Sequence, residues 1–253
     1  MYIELFILFT ISILGAVCAS FIGCIIDNPE KTFSFIGRSS CDYCKKTLKF
    51  FELVPIFSYI IFWGKCRNCK NLIKINYLIY ELILATLFPI SWLIFSEYFI
   101  LSQIIQLFIL LTFCFIVFLD WEKMLISIEA CILIFLFSFI LWTIENNFQI
   151  NILFYKILGG VLGFFSLWCI NKVYFFLKKR QGIGDGDPIL FAAIGFYVGV
   201  ELVFITLILS SILGSIYGLI IIKFKKEELL RPIPFGSFLG VSALIISYSR
   251  QLF

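Results

Sequence analysis

Two aspartates stand where an acid is costly. Asp120 ends the apolar run from Phe113 to Leu119, broken only by Cys114, and Asp187 opens another after the stretch RQGIGDGDPILF, residues 180–191. An ionisable group beside hydrocarbon is a functional candidate by default. Two carboxylates that meet from separate helices at one depth cannot both ionise cheaply, so they share a proton and titrate as a pair. The ionised member then activates water. The protonated member polarises a carbonyl and later protonates a leaving amine. That is the division of labour that peptide hydrolysis by two aspartates requires. Taken alone, either residue also reads as a helix-end acid facing water, and Asp187 suits a helix N-terminus on capping and dipole grounds. Glu122 is a lesser partner for Asp187, and Asp185 competes with Asp187 for the role.

The chain has no histidine, which excludes a Ser-His-Asp triad, a Cys-His pair and any imidazole metal ligand. Its nine cysteines fall into two groups. CDYC at 41–44 and CRNC at 66–69 form two C-x-x-C units separated by 21 residues in a polar loop. Four thiolates at this spacing suit one tetrahedral zinc, with Cys41, Cys44, Cys66 and Cys69 as ligands. Two disulfides or four free thiols are the alternatives, and a reducing compartment disfavours the former. Four cysteine ligands leave no open position, so the zinc is structural. Cys18, Cys24, Cys114, Cys131 and Cys169 lie in apolar runs and read as small buried hydrophobes.

These residues must be positioned by membrane helices. The chain is 62% hydrophobic and 14% charged, with a mean hydropathy of +1.06. A soluble domain of this size does not need so much apolar surface. The first apolar segment lacks the basic front and cleavage site of a signal peptide and is expected to be retained. Eight spans are predicted, at about 2–26, 77–96, 99–119, 124–144, 150–177, 187–199, 201–222 and 234–250, most of them near the length that crosses about 30 Å of hydrocarbon. The connections alternate in charge. Lys31, Arg38, Lys45, Lys46, Lys49, Lys65, Arg67, Lys70 and Lys74 crowd the first. Lys123 follows the third span, Lys178, Lys179 and Arg180 the fifth, and Lys223, Lys225, Lys226 and Arg231 the seventh. Glu97, Glu145 and Glu201 mark the opposite connections. Basic connections face the cytoplasm, so both termini are expected outside and the cysteine loop inside. The fold class is thus all-α and polytopic: about eight transmembrane helices, with a small cytoplasmic four-cysteine zinc-binding domain between the first and second. The predicted organisation is a first transmembrane helix at 1–26, the cysteine domain at 27–76 and a membrane domain at 77–253. The net charge of +4 fits the inner face of a membrane and lipid contact rather than nucleic acid.

Four motifs in order carry a resemblance over nearly the whole chain. RSSCDYCKKTLKFFELVPIFSYIIFWGKCRNCKNLIKINYLIYE holds two cysteine knuckles, an L-V-P…SY centre and Glu81. LDWEKMLI holds Asp120. GIGDGDPILFAAIGFYVG holds Asp187, and RPIPFGSFL opens the last span. Together they resemble the bacterial type IV prepilin peptidases, membrane aspartic proteases with a G-x-G-D motif. The resemblance implies Asp120 and Asp187 as the catalytic pair, in the register Gly184-Asp185-Gly186-Asp187; the reading Gly182-Ile183-Gly184-Asp185 also spells G-x-G-D. Three positions depart from the family pattern. Ile189 stands where it has lysine. Ile126-Ser127-Ile128 replaces I-P-[DN]. Ala19-Ser20-Phe21-Ile22-Gly23-Cys24 and Asp27-Asn28-Pro29 replace G-S-F-x-N-V and a basic-Leu-Pro turn.

The resemblance implies an endopeptidase of the bacterial inner membrane. It would cut the basic leader of type IV prepilins or pseudopilins after a glycine, at the cytoplasmic face, in pilus assembly or type II secretion. Many members also N-methylate the new N-terminus with S-adenosylmethionine, and the cysteine domain is implicated. The glycines of GIGDGD do not follow a strand as a dinucleotide loop would. A proton-coupled transporter is a rival reading, and it predicts repeat symmetry between halves that the sequence does not display. An inactive family member acting as an assembly factor is the other.

Overall fold

The computed structural model describes residues 2–27, 39–41, 43–146, 148–179, 182–225 and 233–252. Asn28, Pro29, Lys31, Arg38, Asp42, Arg180, Lys226, Arg231 and Pro232, all used above, lie outside the described residues. The described chain is helical throughout: α1 Tyr2–Asp27, α2 Phe57–Ile61, α3 Ile75–Ile94, α4 Ile100–Lys123, α5 Ile128–Glu145, α6 Ile150–Lys178, α7 Asp187–Val198, α8 Val200–Lys225 and α9 Phe235–Leu252. Extended pairing among the described residues is limited to two isolated antiparallel bridges, Ser40 with Thr47 and Lys65 with Leu72.

Each of the eight predicted spans falls on a helix. Six of them, α1, α3, α4, α5, α6 and α8, are long and apolar enough to cross a membrane, and the protein is a multi-pass membrane protein. The other two do not reach that standard. The 12 residues of α7 rise about 18 Å. The 18 residues of α9 include Ser237, Ser242, Ser247, Ser249 and Arg250. The chain divides into two compact units, Met1–Leu93 and Ile94–Phe253.

In the first unit α1 lies on α3. The Ser12 hydroxyl donates to the Ala85 carbonyl at 2.7 Å, and Ile11, Ala16, Ala19, Ile22 and Ile26 are buried. The outer face of α1 carries exposed Phe6, Phe9, Leu14 and Phe21, which suits lipid rather than water.

In the second unit the short helix is the core. Ten of the residues of α7 are buried, Asp187 among them, and Leu190, Phe191, Ala193, Ile194, Tyr197 and Val198 join a cluster with Ile109, Phe113 and Ile116 of α4, Ile134 of α5 and Leu239 and Ala243 of α9. A helix enclosed by other helices needs no lipid-facing stripe, so α7 is apolar on every side. Helix α6 packs on it through small residues. A Cβ on Gly195 would strike the Gly159 carbonyl, and one on Gly159 would strike the Gly195 carbonyl. Backbones approach this closely only where both partners lack side chains, as at small-xxx-small membrane interfaces. Gly195→Leu therefore separates α6 from α7 and leaves Asp187 without its mount. The expected result is loss of folded protein in detergent thermal-unfolding measurements, whereas Phe165→Leu, on the exposed face of α6, leaves the transition in place.

Candidate active site

Asp120 occupies the last turn of α4. That helix ends with Met124 in the left-handed region, φ 54°, its N–H bonded to the Asp120 carbonyl. The turn throws Ile126 inward and leads to Ser127, which caps α5 by accepting the Ala130 N–H at 3.2 Å. Trp121 packs at an angle on Tyr217 of α8 and edge-to-face on Phe238 of α9, the ring centroids being 5.0 and 6.3 Å away, and this aromatic group ties the end of α4 to its neighbours. The Asp120 carboxylate is turned inward and is 5% exposed.

Asp187 arrives from the other direction. Gly186 is the N-cap of α7, Asp187 its first residue and Pro188 its second, a position where the missing N–H of proline costs nothing. Asp187 Oδ2 reaches back to accept the Gly184 N–H at 2.9 Å. It is 6% exposed, whereas Asp185 is exposed. The structure thus buries Asp187 and leaves Asp185 exposed.

Ile126 lies between the segments that carry the two acids. A Cβ on Gly186 would come within 3.0 Å of Ile126 Cβ. One on Gly236 would come within 2.9 Å of Ile126 Cδ1 and 3.2 Å of Asp120 Oδ2. Both glycines are therefore needed for the chain to close around the acids. Gly236→Ala must displace either Ile126 or the Asp120 carboxylate. It is expected to lower turnover by about tenfold with little change in thermal stability, since a shift of a few tenths of an ångström in a positioned group is enough to do so. Wild-type turnover in this variant would show that the contact yields freely.

The residue that sequence reasoning passed over is Ser237. Its backbone N–H donates to Asp120 Oδ2 at 2.6 Å and its hydroxyl to the same oxygen at 2.9 Å. The one signal for it was its place in the first turn of an apolar helix, inside a motif noted for its glycine and prolines. Glu122 is half-buried and is not brought inward with Asp120. Ile189 is 36% exposed and does not share the face of Asp187, because neighbours on a helix face are three or four apart.

The cysteine loop is built twice from one pattern. Cys41 N–H donates to the Lys46 carbonyl and Lys45 N–H to the Cys41 carbonyl. Cys66 N–H donates to the Asn71 carbonyl and Lys70 N–H to the Cys66 carbonyl. Lys45 and Lys70 both take positive φ, 55° and 59°. The two knuckles bring the four sulfurs within 4.8 Å of one another. Cys41 Sγ and Cys69 Sγ are 3.8 Å apart, which is the edge of a tetrahedron with metal–sulfur bonds of about 2.3 Å. All four are free thiols, so the disulfide alternative is not realised. The Lys46 N–H and the Asn68 side chain draw the Cys44 thiol down to about 6, and the N–H groups of Cys69 and Asn68 lower that of Cys66. Cys69 also receives the Asn71 N–H, but desolvation and the neighbouring thiols outweigh it and carry this thiol up to about 11. Such a cluster gathers negative charge and could hold a metal ion.

Comparison with known proteins bears on both parts. The family described as Bacterial Peptidase A24 N-terminal domain matches residues 13–95, and the Type IV leader peptidase family matches residues 105–219. A prepilin leader peptidase/N-methyltransferase of Vibrio cholerae serotype O1 is 30% identical over 221 residues, covering 85% of this chain and 83% of its own. Proteins of the same name from Pseudomonas aeruginosa and Aeromonas hydrophila are 29% and 28% identical, covering 85% and 87% of this chain and 73% and 74% of theirs. No solved structure matches. The two matched regions correspond to the two compact units, one holding the thiols and the other the paired acids, and the chain belongs to the type IV leader peptidase family.

Proposed function

We propose that the protein is an endopeptidase of the bacterial inner membrane. It removes the leader of type IV prepilins or pseudopilins after a glycine at the cytoplasmic face, and it N-methylates the new N-terminus. The observation that carries this reading is the burial of Asp120 and Asp187 together in a chain of this family. In the reaction the ionised carboxylate takes a proton from water as the water oxygen attacks the glycine carbonyl carbon. The protonated carboxyl gives its proton to the carbonyl oxygen. The tetrahedral gem-diol collapses when the leaving nitrogen receives the proton first taken from water, the C–N bond breaks, and the second carboxylate recovers its proton from one of the two hydroxyls as the C=O of the new carboxylic acid forms. A prepilin presents its basic leader in the cytoplasm and its following helix in the bilayer, so the bond between them lies at the membrane boundary. Asp185 and Glu122, outside the buried pair, offer carboxylates to the basic leader.

Zinc bound by Cys41, Cys44, Cys66 and Cys69 would hold the two knuckles together and take no part in hydrolysis, since all four positions are filled. S-adenosylmethionine would supply a methyl group to the new amine. A cavity of about 460 Å³ in the first unit, lined among others by Tyr59, Tyr77, Glu81 and the ion pair of Asp27 with Lys74, has a carboxylate in Glu81 for its sulfonium and rings for its purine. The test is to incubate purified protein with a prepilin and S-adenosylmethionine and to weigh the mature chain. A product one methylene heavier than the cleaved chain supports both activities. A cleaved, unmethylated product removes the transferase, and an uncut precursor removes the whole reading.

A further inference from the structure

The chemistry above leaves open which acid is the base, and Ser237 bears on that choice. It is the third residue of α9, so its N–H is one of those a helix leaves unbonded at its start. It spends that donor on Asp120 Oδ2 at 2.6 Å. Its hydroxyl lies 2.9 Å from the same oxygen and 2.9 Å from the Val117 carbonyl oxygen. A hydroxyl has one proton, so it can serve one of these acceptors at a time. Ser237 is 2% exposed, and no rotation takes its hydroxyl to bulk water. Among the described residues Asp187 receives one donor, the Gly184 N–H.

We propose that Ser237 is the positioning residue of the pair: it holds Asp120 as the ionised member and general base, and leaves the proton on Asp187. This inference rests on the reading that the two aspartates are the catalytic pair. With Asp120 ionised, both donors of Ser237 point at its Oδ2. When Asp120 takes a proton from water, the hydroxyl turns to the Val117 carbonyl and its oxygen accepts from the new carboxylic acid. When that proton passes to the leaving nitrogen, the hydroxyl turns back. No atom of Ser237 is consumed, and the hydroxyl follows the protonation of Asp120 through each cycle. The pattern that RPIPFGSFL resembles, I-P-F-G-P-F, has proline at this position and so offers neither donor. The arrangement departs from that pattern, as does Ile189 in place of the lysine.

The groups around Asp120 bound the pH argument. Asp187 of α7 is the other buried carboxylate of this unit. From the connection to α5 it meets apolar Ile126, across Gly236. Glu122 and Lys123 follow it on α4, Glu129 begins α5, and Asp185 precedes α7. Hydrogen bonds to the charged form of a carboxylate favour that form. Without them the base keeps its proton to higher pH, so the acidic limb of the rate profile moves up.

The experiment measures leader cleavage against pH for the full-length protein in lipid vesicles. Ser237→Ala keeps the N–H and loses the hydroxyl, and kcat is expected to fall by about three- to tenfold. Ser237→Pro loses both donors in a helix turn that tolerates proline. Its kcat is expected to fall by about 10- to 100-fold, a scale set by hydrogen bonds to a charged group. KM is unchanged in both, and in both the acidic limb moves to higher pH. Ser237→Thr restores the rate and the limb. If both limbs coincide with wild type while Asp120→Asn is inactive, the role of Ser237 is overturned and the catalytic pair stands. If Asp120→Asn cleaves at the wild-type rate, the pair itself fails. A variant that loses its thermal transition is replaced by Ser237→Ala, whose limb alone decides the question.

Discussion

Asp120→Asn and Asp187→Asn are each expected to slow leader cleavage by at least about a hundred- to ten-thousand-fold, the range over which a positioned acid or base accelerates a reaction. An amide is nearly the same shape as a carboxyl group but can neither take a proton from water nor give one to a carbonyl. Both sites are buried, at 5% and 6% exposure, and an uncharged isostere is cheaper to bury than an ion. The variants should therefore insert and unfold at temperatures no lower than wild type, so that lost activity is not lost structure. Asp185→Asn, at an exposed position two residues away, should retain most of its rate. Loss at Asp185 with retention at Asp187 would mean that the second acid had been taken from the wrong register of GIGDGD.

Removing the metal is expected to have the other large effect, on structure rather than on hydrolysis. Structural zinc bound by cysteines contributes an apparent binding free energy of about 10–16 kcal/mol in small domains, and that energy is folding energy. Here the two knuckles are short turns, each closed by one isolated bridge, with exposed Phe50, Phe51 and Trp63 nearby, so the loop has little core of its own. The purified protein should carry about one zinc per chain by elemental analysis. Cys44→Ser with Cys69→Ser should carry none and should be cut by added protease between residues 39 and 74. A strong chelator should produce the same cleavage in wild type, and acid should too, because a thiol must lose its proton to bind the metal. Leader hydrolysis should suffer far less than in the aspartate variants, since a closed four-thiolate site cannot activate water. A metal-free preparation whose loop resists protease would contradict the assignment.

Much of this was legible before the fold. The helices follow apolar runs whose length and composition leave few alternatives, and the lone acids at Asp120 and Asp187 are conspicuous against them. The cysteine spacing carries its own geometry. What could not be read is what depends on contact between distant segments. Ser237 meets Asp120 across 117 residues, and nothing in SFLG marks it as more than a polar residue in a helix start. The glycines of α6 look like flexible points in a membrane span, yet Gly159 is the surface on which Gly195 rests. Ile126 reads as part of a divergent family motif, whereas in the fold it packs against Gly186 and Gly236 of the two neighbouring segments. The shortness of α7 was visible, but its cause was not: a helix enclosed by its neighbours has no lipid thickness to match. Asp187 is buried and Asp185 exposed, and two acids two residues apart differ in burial only once the helix has a fixed face.

The measurement that tests the central claim most directly is the intact mass of products formed when wild-type protein in lipid vesicles meets one purified prepilin. Two products are predicted, a leader that ends in its glycine and a mature chain that begins at the next residue, and neither should appear with Asp187→Asn. A precursor left whole by folded, zinc-loaded wild type would contradict the account, as would the same two products formed by Asp187→Asn at the wild-type rate.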